Sequence, residues 1–155
     1  SAASDVYKRQ EQIGLIAAAY PIFWGIGQLF TGKMSDFYSK KKMLFWGMLI
    51  QGASILFLPF IINFELLLSL SMMIGIGTAI VYPTFLTVIA EESSPTQRAE
   101  SIGIFRLWRD LGYAIGAIVS GITADFFGIK FSILLIGLIT IFSSFIIQFR
   151  MPSKS

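Results

Sequence analysis

Residues 27–42 read GQLFTGKMSDFYSKKK, and residues 116–130 read GAIVSGITADFFGIK. Gly27, Gly32 and Asp36 of the first stretch return with the same spacing as Gly116, Gly121 and Asp125. Each copy closes one long apolar run and leads into another. Apolar runs dominate the whole chain, which is 55% hydrophobic and only 14% charged, whereas soluble domains carry about 25% charged residues. Between Ile13 and Ile62 the charges fall only at Lys33, Asp36 and the lysine triplet 40–42. Charges gathered at the ends of apolar runs mark a membrane protein, so an all-α membrane fold is expected.

The same composition excludes several function classes. There is no cysteine and no histidine, which removes disulfides, thiolate metal sites, the commonest metal ligand and the usual acid–base catalyst. Neither a metal nor a cofactor is expected, and an enzyme is not the reading. The net charge is only +3, and the lysines flank apolar runs instead of forming a basic surface, so nucleic acid is not an expected partner. No G-x-x-x-x-G-K-[ST] loop is present to cradle ATP phosphates. Residues 1–11 begin SAASDVYKRQ, polar and without the apolar stretch of a signal peptide. They read as a leader or junction outside a transmembrane domain at 12–155.

A bilayer core about 30 Å thick takes roughly 20 helical residues to cross. Five stretches meet that length, at about 13–35, 43–62, 65–90, 95–125 and 130–149. Short connections make sequential helices antiparallel. The start of the fourth is the best marked: Ser94 can cap, Pro95 takes the first helical position and Gln97 completes a capping box. Lys40, Lys41 and Lys42, then Arg98, then Arg150 and Lys154 all fall on one side of the membrane. By the positive-inside rule that side, with the C-terminus, is cytoplasmic. The lysine triplet opens the second helix, where the dipole disfavours cations, so its role is topological anchoring. Three crossings separate Asp36 from Asp125, placing them on opposite faces. A repeat displaced by an odd number of crossings is inverted, and inverted three-helix repeats are a building plan of secondary transporters. With three helices per unit the chain is one short, and the absent helix would precede Ile13.

These residues resemble a known family. GKMSDFYSKKK is similar to the G-x-L-x-D-R-x-G-R-K loop of the major facilitator superfamily, matching at Gly32, Asp36, Lys40 and Lys41 and departing at Phe37 and Ser39. Residues 82–117, YPTFLTVIAEESSPTQRAESIGIFRLWRDLGYAIGA, resemble the tenth and eleventh helices of bacterial members, with Glu91 and Arg98 in the family's E-x6-R spacing. The resemblance implies a twelve-helix carrier of two six-helix halves, of which this chain is similar to helices eight to twelve. Its partners would be the lipid bilayer, the missing N-terminal half and a small-molecule solute, in a bacterial or archaeal cytoplasmic membrane. A competing register is helices two to six, since Gly112, Gly116 and Gly121 echo a glycine-rich fifth helix. RLWRDLGYAIG and the polar tail RMPSKS favour the C-terminal half.

Four groups of residues carry the functional expectation. Tyr20, Trp24 and Gln28 on the first helix, Tyr82 on the third and Tyr113 on the fourth are the cavity candidates, because a solute cavity needs a few polar groups among apolar walls. The cytoplasmic gate loop is Gly32, Asp36, Lys40, Lys41 and Lys42; by analogy Asp36 accepts hydrogen bonds from a helix N-terminus of the missing half. Glu91, Arg98, Arg106, Arg109 and Asp110 make a charge network, extending the latch at its first two members and pairing Arg106 with Asp110 four residues on. Intramembrane charges usually mark a pathway or gate, so Asp110 can be a proton-linked carboxylate or Arg109 an anchor for an anionic solute. Their position three to four turns from Pro95 instead favours ions bracing the two halves. Gly112, Gly116, Ser120 and Gly121 are the small residues expected to let another helix approach closely.

The expected function is that of a secondary-active transporter of a small organic solute, working by alternating access and coupled to protons as symporter or antiporter. The alternatives are a sensor or structural protein that kept the fold, and an oligomeric pore.

Overall fold

In the computed structural model, residues 2–152 are described, apart from the side chains of residues 2–6, 35 and 36. The Asp36 side chain and Lys154 therefore lie outside the described residues. Five α-helices account for nearly all of them: α1 (Ala2–Phe37), α2 (Lys40–Phe57), α3 (Phe64–Glu92), α4 (Arg98–Phe127) and α5 (Ile129–Arg150), with a single 3-10 turn, Leu58–Phe60, after α2. No strand occurs among the described residues.

A helix lies over each of the five expected stretches, and the helix ends follow local chemistry. Pro59 ends α2 as a regular helix, tightening its exit into the 3-10 turn. Asn63 caps α3, its side-chain oxygen accepting from the amides of Glu65 at 2.9 Å and Leu66 at 3.3 Å. Two boundaries differ from the sequence expectation. Helix α4 begins at Arg98 and not at Pro95. The Gln97 amide donates to the Ser94 carbonyl at 3.0 Å, closing residues 94–97 as a turn, and the Ser94 hydroxyl is drawn onto the Gln97 side chain at 3.1 Å. The anticipated capping box is thus replaced by a side-chain pair inside the turn. At the other end of the chain, α1 starts at Ala2, so the polar residues set aside as a leader form its first turns. At 1.5 Å per residue its 36 residues extend about 54 Å, well beyond a bilayer core.

Four of the helical segments are long and apolar enough to cross a membrane: Tyr7–Met34, Lys40–Phe60, Phe64–Glu92 and Ile129–Arg150. Helix α4 has the length, with 30 residues, but carries Glu100, Arg106, Arg109 and Asp110 within its first half. Among these helices it is the amphipathic one.

Helix α3 occupies the middle. It packs along α1 on one side and α2 on the other; α2 in turn packs on α5, and α5 on α4, which leans back to touch α3. Lipid is as apolar as leucine, so helix association in a bilayer rests on close packing and interhelical hydrogen bonds. Both are visible. A Cβ added at Gly75 of α3 would lie 2.5 Å from the Tyr20 carbonyl oxygen of α1, and one added at Gly77 would lie 2.7 Å from the Gly47 oxygen of α2. The Ser71 hydroxyl donates across to the Ile16 carbonyl at 2.6 Å, and the Gln51 amide to the Thr78 hydroxyl at 3.2 Å. The buried apolar side chains are mostly small or few, namely Ala19, Met43, Leu44 and Ala79, while Leu29, Phe126 and Phe149 face outward as lipid-exposed residues would.

Helices α4 and α5 meet at one residue, Gly128, whose φ of 89° and ψ of 158° belong to glycine alone. Gly75 and Gly128 thus hold the bundle for different reasons, one steric and one conformational. Gly75→Ala should destabilise by about 1–3 kcal/mol through overpacking, and Gly128→Ala by a similar amount, about 1–3 kcal/mol, through backbone strain. Thermal melting of the complete protein in detergent checks both.

Candidate functional site

On α3, Thr78 and Tyr82 are four residues apart, with Phe85 three further on; on α4, Phe105, Arg109 and Tyr113 repeat at intervals of four. Each set therefore stacks along one helix face. The two helices run antiparallel, so Phe85 meets Phe105 and Tyr82 meets Arg109. With Val81 and with Gln51 of α2, these residues line a cleft of about 280 Å³. The Phe85 and Phe105 rings, 5.8 Å between centroids, narrow it toward the α3–α4 connection. The Gln51–Thr78 hydrogen bond lies toward the other end.

Arg109 is the one charged residue lining the cleft. Its Nη1 donates to the Tyr82 hydroxyl at 2.8 Å, and its Cζ lies 5.5 Å from the Tyr82 ring centroid, within cation–π range. Nε and Nη2 both reach Asp110 Oδ1, at 2.9 and 2.8 Å. Tyr82 also meets the edge of Trp24, centroids 6.4 Å apart, and Trp24 stacks on Tyr20 at 6.0 Å. A line of aromatic contacts therefore runs from α1 through α3 to the guanidinium on α4. The buried Trp24 Nε1 has no hydrogen-bond partner.

The structure brings some of the anticipated residues together and separates others. Of the cavity candidates, Tyr82 and Tyr113 line the cleft; Tyr20 and Trp24 stand behind Tyr82; Gln28, four residues beyond Trp24 on α1, is not among the lining residues. The charge network divides in two. Asp110 pairs with the adjacent Arg109 and not with Arg106, which is exposed. Tyr82 on the neighbouring helix holds the Arg109 guanidinium, and Asp110 pairs with that held group from the exposed side. Glu91 pairs with Lys40 at 2.9 Å instead of with Arg98. Arg98 donates from Nε to the Ala90 carbonyl at 3.0 Å, placing a cation on the last turns of α3, where the dipole welcomes it. Within the gate loop, Gly32 lies near the end of α1, and Lys40, Lys41 and Lys42 form the first turn of α2. The expected packing stripe on α4 meets little: a Cβ at Gly112, Gly116 or Gly121 would touch nothing within 4 Å. Only Ser120 reaches another helix, its carbonyl accepting from the Ser132 hydroxyl at 2.9 Å. The close-packing glycines are instead Gly75 and Gly77 with Gly47.

Gln51, Val81, Phe85 and Phe105 are cleft residues that sequence reasoning passed over. Gln51 left a signal, as a lone amide in the apolar run LIQGASIL; the other three look like any lipid-facing side chain. Among the described residues no group of three His, Cys, Asp or Glu is placed to hold a metal.

Long apolar helices, glycine-mediated packing and a charged cleft between helices define an integral, multi-pass membrane protein. More narrowly, the chain belongs to the Major Facilitator Superfamily, whose sequence model matches residues 4–155. It is 32% identical over 135 residues to an uncharacterized MFS-type transporter of Methanocaldococcus jannaschii, covering 87% of this chain and 35% of that protein. It is 30% identical over 135 residues to the hexuronate transporter of Bacillus subtilis, covering 87% and 32%. To the 4-hydroxybenzoate transporter of Pseudomonas aeruginosa it is 26% identical over 143 residues, covering 92% and 32%. The chain spans about a third of the length of these relatives.

The Lys40–Glu91 pair is 27% and 55% exposed at its side chains. Exposed pairs contribute about 0–1 kcal/mol. Glu91→Gln should therefore shift the thermal midpoint far less than Gly75→Ala does in the same melting experiment.

Proposed function

We propose that this chain forms helices eight to twelve of a secondary-active carrier that moves a small organic solute across a bacterial or archaeal cytoplasmic membrane by alternating access. The observation that carries this reading is the α2–α3–α4 cleft, where an arginine is held between a tyrosine hydroxyl and a carboxylate among aromatic walls. Such charges are costly in a bilayer unless paired or wetted, and where they occur they mark pathways or gates. RLWRDLGYAIG and the polar tail support the C-terminal register. The names of two relatives, a hexuronate and a 4-hydroxybenzoate transporter, support a small organic solute.

The partner half supplies the rest of the cavity wall, and the two halves rock about the solute. A weak, exposed pair such as Lys40–Glu91 suits that motion, since it biases a state without locking it. Proton coupling runs through Asp110, the carboxylate nearest the cleft.

In proteoliposomes holding the complete protein, Asp110→Asn should abolish uptake driven by a pH gradient while solute exchange persists. Gradient-driven uptake by the variant would remove Asp110 as the proton site. A complete absence of transport by the native protein, with the fold intact, would turn the reading toward a sensor or structural role. Orientation has its own check, which the absence of cysteine from this chain makes direct. Single cysteines replacing Asp36 and Asp125 should label from opposite faces of the membrane. Labelling from one face would remove the inverted-repeat basis of alternating access.

A further inference from the structure

The cleft is also specific about what it can receive. A guanidinium carries five N–H donors and no acceptor. Here one donor from Nη1 is on the Tyr82 hydroxyl, while Nε and Nη2 converge on the same carboxylate oxygen, Oδ1 of Asp110. Full bidentate pairing would set two N–H groups against two oxygens, so the Asp110 clamp falls short of the geometry that this edge of Arg109 can satisfy. The two partners also differ in place. Arg109 lines the cleft and is 29% exposed; Asp110 does not line it and is 61% exposed. The cation belongs to the cleft, and its counter-ion stands at the margin.

We infer that the solute is a small organic carboxylate with a flat apolar body, and that its carboxylate takes from Asp110 the Nε–Nη2 edge of Arg109. The inference rests on the carrier reading above and names its solute class. Two features select this chemistry. A carboxylate brings the same single charge and the same planar acceptor pair as the group it displaces, so Arg109 is never left unpaired during the exchange. A phosphate dianion would bring two charges to one cation. The walls are rings, with Phe85 and Phe105 at one end and Tyr82 and Tyr113 beside the guanidinium; offset or edge contacts with an aromatic solute are the interactions they offer. Asp110 is then a positioning residue: it holds the guanidinium oriented and neutralised until the solute arrives.

The test is calorimetric titration of the complete protein in detergent with benzoate, phenylacetate, phenyl phosphate, benzamide and benzyl alcohol. Benzoate or phenylacetate should bind, with the uncharged analogues weaker by at least about tenfold, the scale set by a hydrogen bond to a charged group. Arg109→Gln should abolish carboxylate binding. Asp110→Asn should strengthen it several-fold, because the competing anion is gone; a merely structural ion pair predicts weakening. Equal binding of benzamide, tighter binding of phenyl phosphate, binding by none of the panel, or weaker carboxylate binding in Asp110→Asn each overturns the inference. The native panel needs no variant to fold. Uptake measured alongside separates the two readings. Transport of a neutral solute without carboxylate binding removes this inference and leaves the carrier, whereas the carboxylate pattern without any uptake removes the carrier and leaves the site.

Discussion

Everything in this bundle depends on how closely α3 approaches its neighbours. Backbone of α1 lies against Gly75 and backbone of α2 against Gly77, too near in each case for a side chain to intervene. In a bilayer no hydrophobic force separates helix–helix from helix–lipid contact, so close packing must supply much of the attraction. The same approach places the candidate site. Gly75, Thr78 and Tyr82 follow one another along α3, so seating Gly75 on α1 sets the height and rotation at which Tyr82 meets Trp24 on one side and Arg109 on the other. Two tyrosine–proline pairs, Tyr20–Pro21 and Tyr82–Pro83, stand at the two ends of that aromatic line. Each proline removes one backbone hydrogen bond from its helix, leaving the segments that carry the tyrosines more compliant than those that carry the glycines.

Helix α4 is held on different terms. It has no buried residue, its small-residue edge meets open space, and its contact with α3 is slight beside its contact with α5. What ties its middle to α3 is the hydrogen bond and cation–π contact of Arg109 with Tyr82, together with the Phe85–Phe105 rings. A helix anchored at one end by Gly128 and in its middle by a polar group can shift when that group changes partner.

Much of the fold was legible because bilayer length and charge placement are strong constraints on composition. The five helices, their order and the short turns follow from apolar runs punctuated at Lys40–Lys42, Asn63 and Pro95. The start of α4 was not, because Ser-Pro-Thr-Gln satisfies both a capping box and a turn, and only the Ser94–Gln97 contacts decide between them. The candidate site was legible in part. Tyr82, Tyr113 and Arg109 stand out as polar groups in apolar surroundings. Phe85 and Phe105 do not, since a phenylalanine lining a cleft and one facing lipid are the same residue in the same pattern. Arg106 was assigned Asp110 by spacing along one helix; the observed pair depends on Tyr82, which lies on another helix and is invisible to such spacing.

On the proposed reading, these facts join solute binding to movement without a separate device. Arg109 has two obligations in this structure, to Tyr82 on α3 and to Asp110 on its own helix. A solute carboxylate that satisfies the Nε–Nη2 edge releases Asp110 but leaves the Tyr82 bond in place, so the solute becomes part of the tie between α3 and α4. An anion that enters together with a proton leaves the charge of the site unchanged, which matters where uncompensated charge is most expensive. Coupling of this kind requires only that a single guanidinium be shared among three acceptors: a mobile solute, the neighbouring Asp110 and Tyr82 on α3.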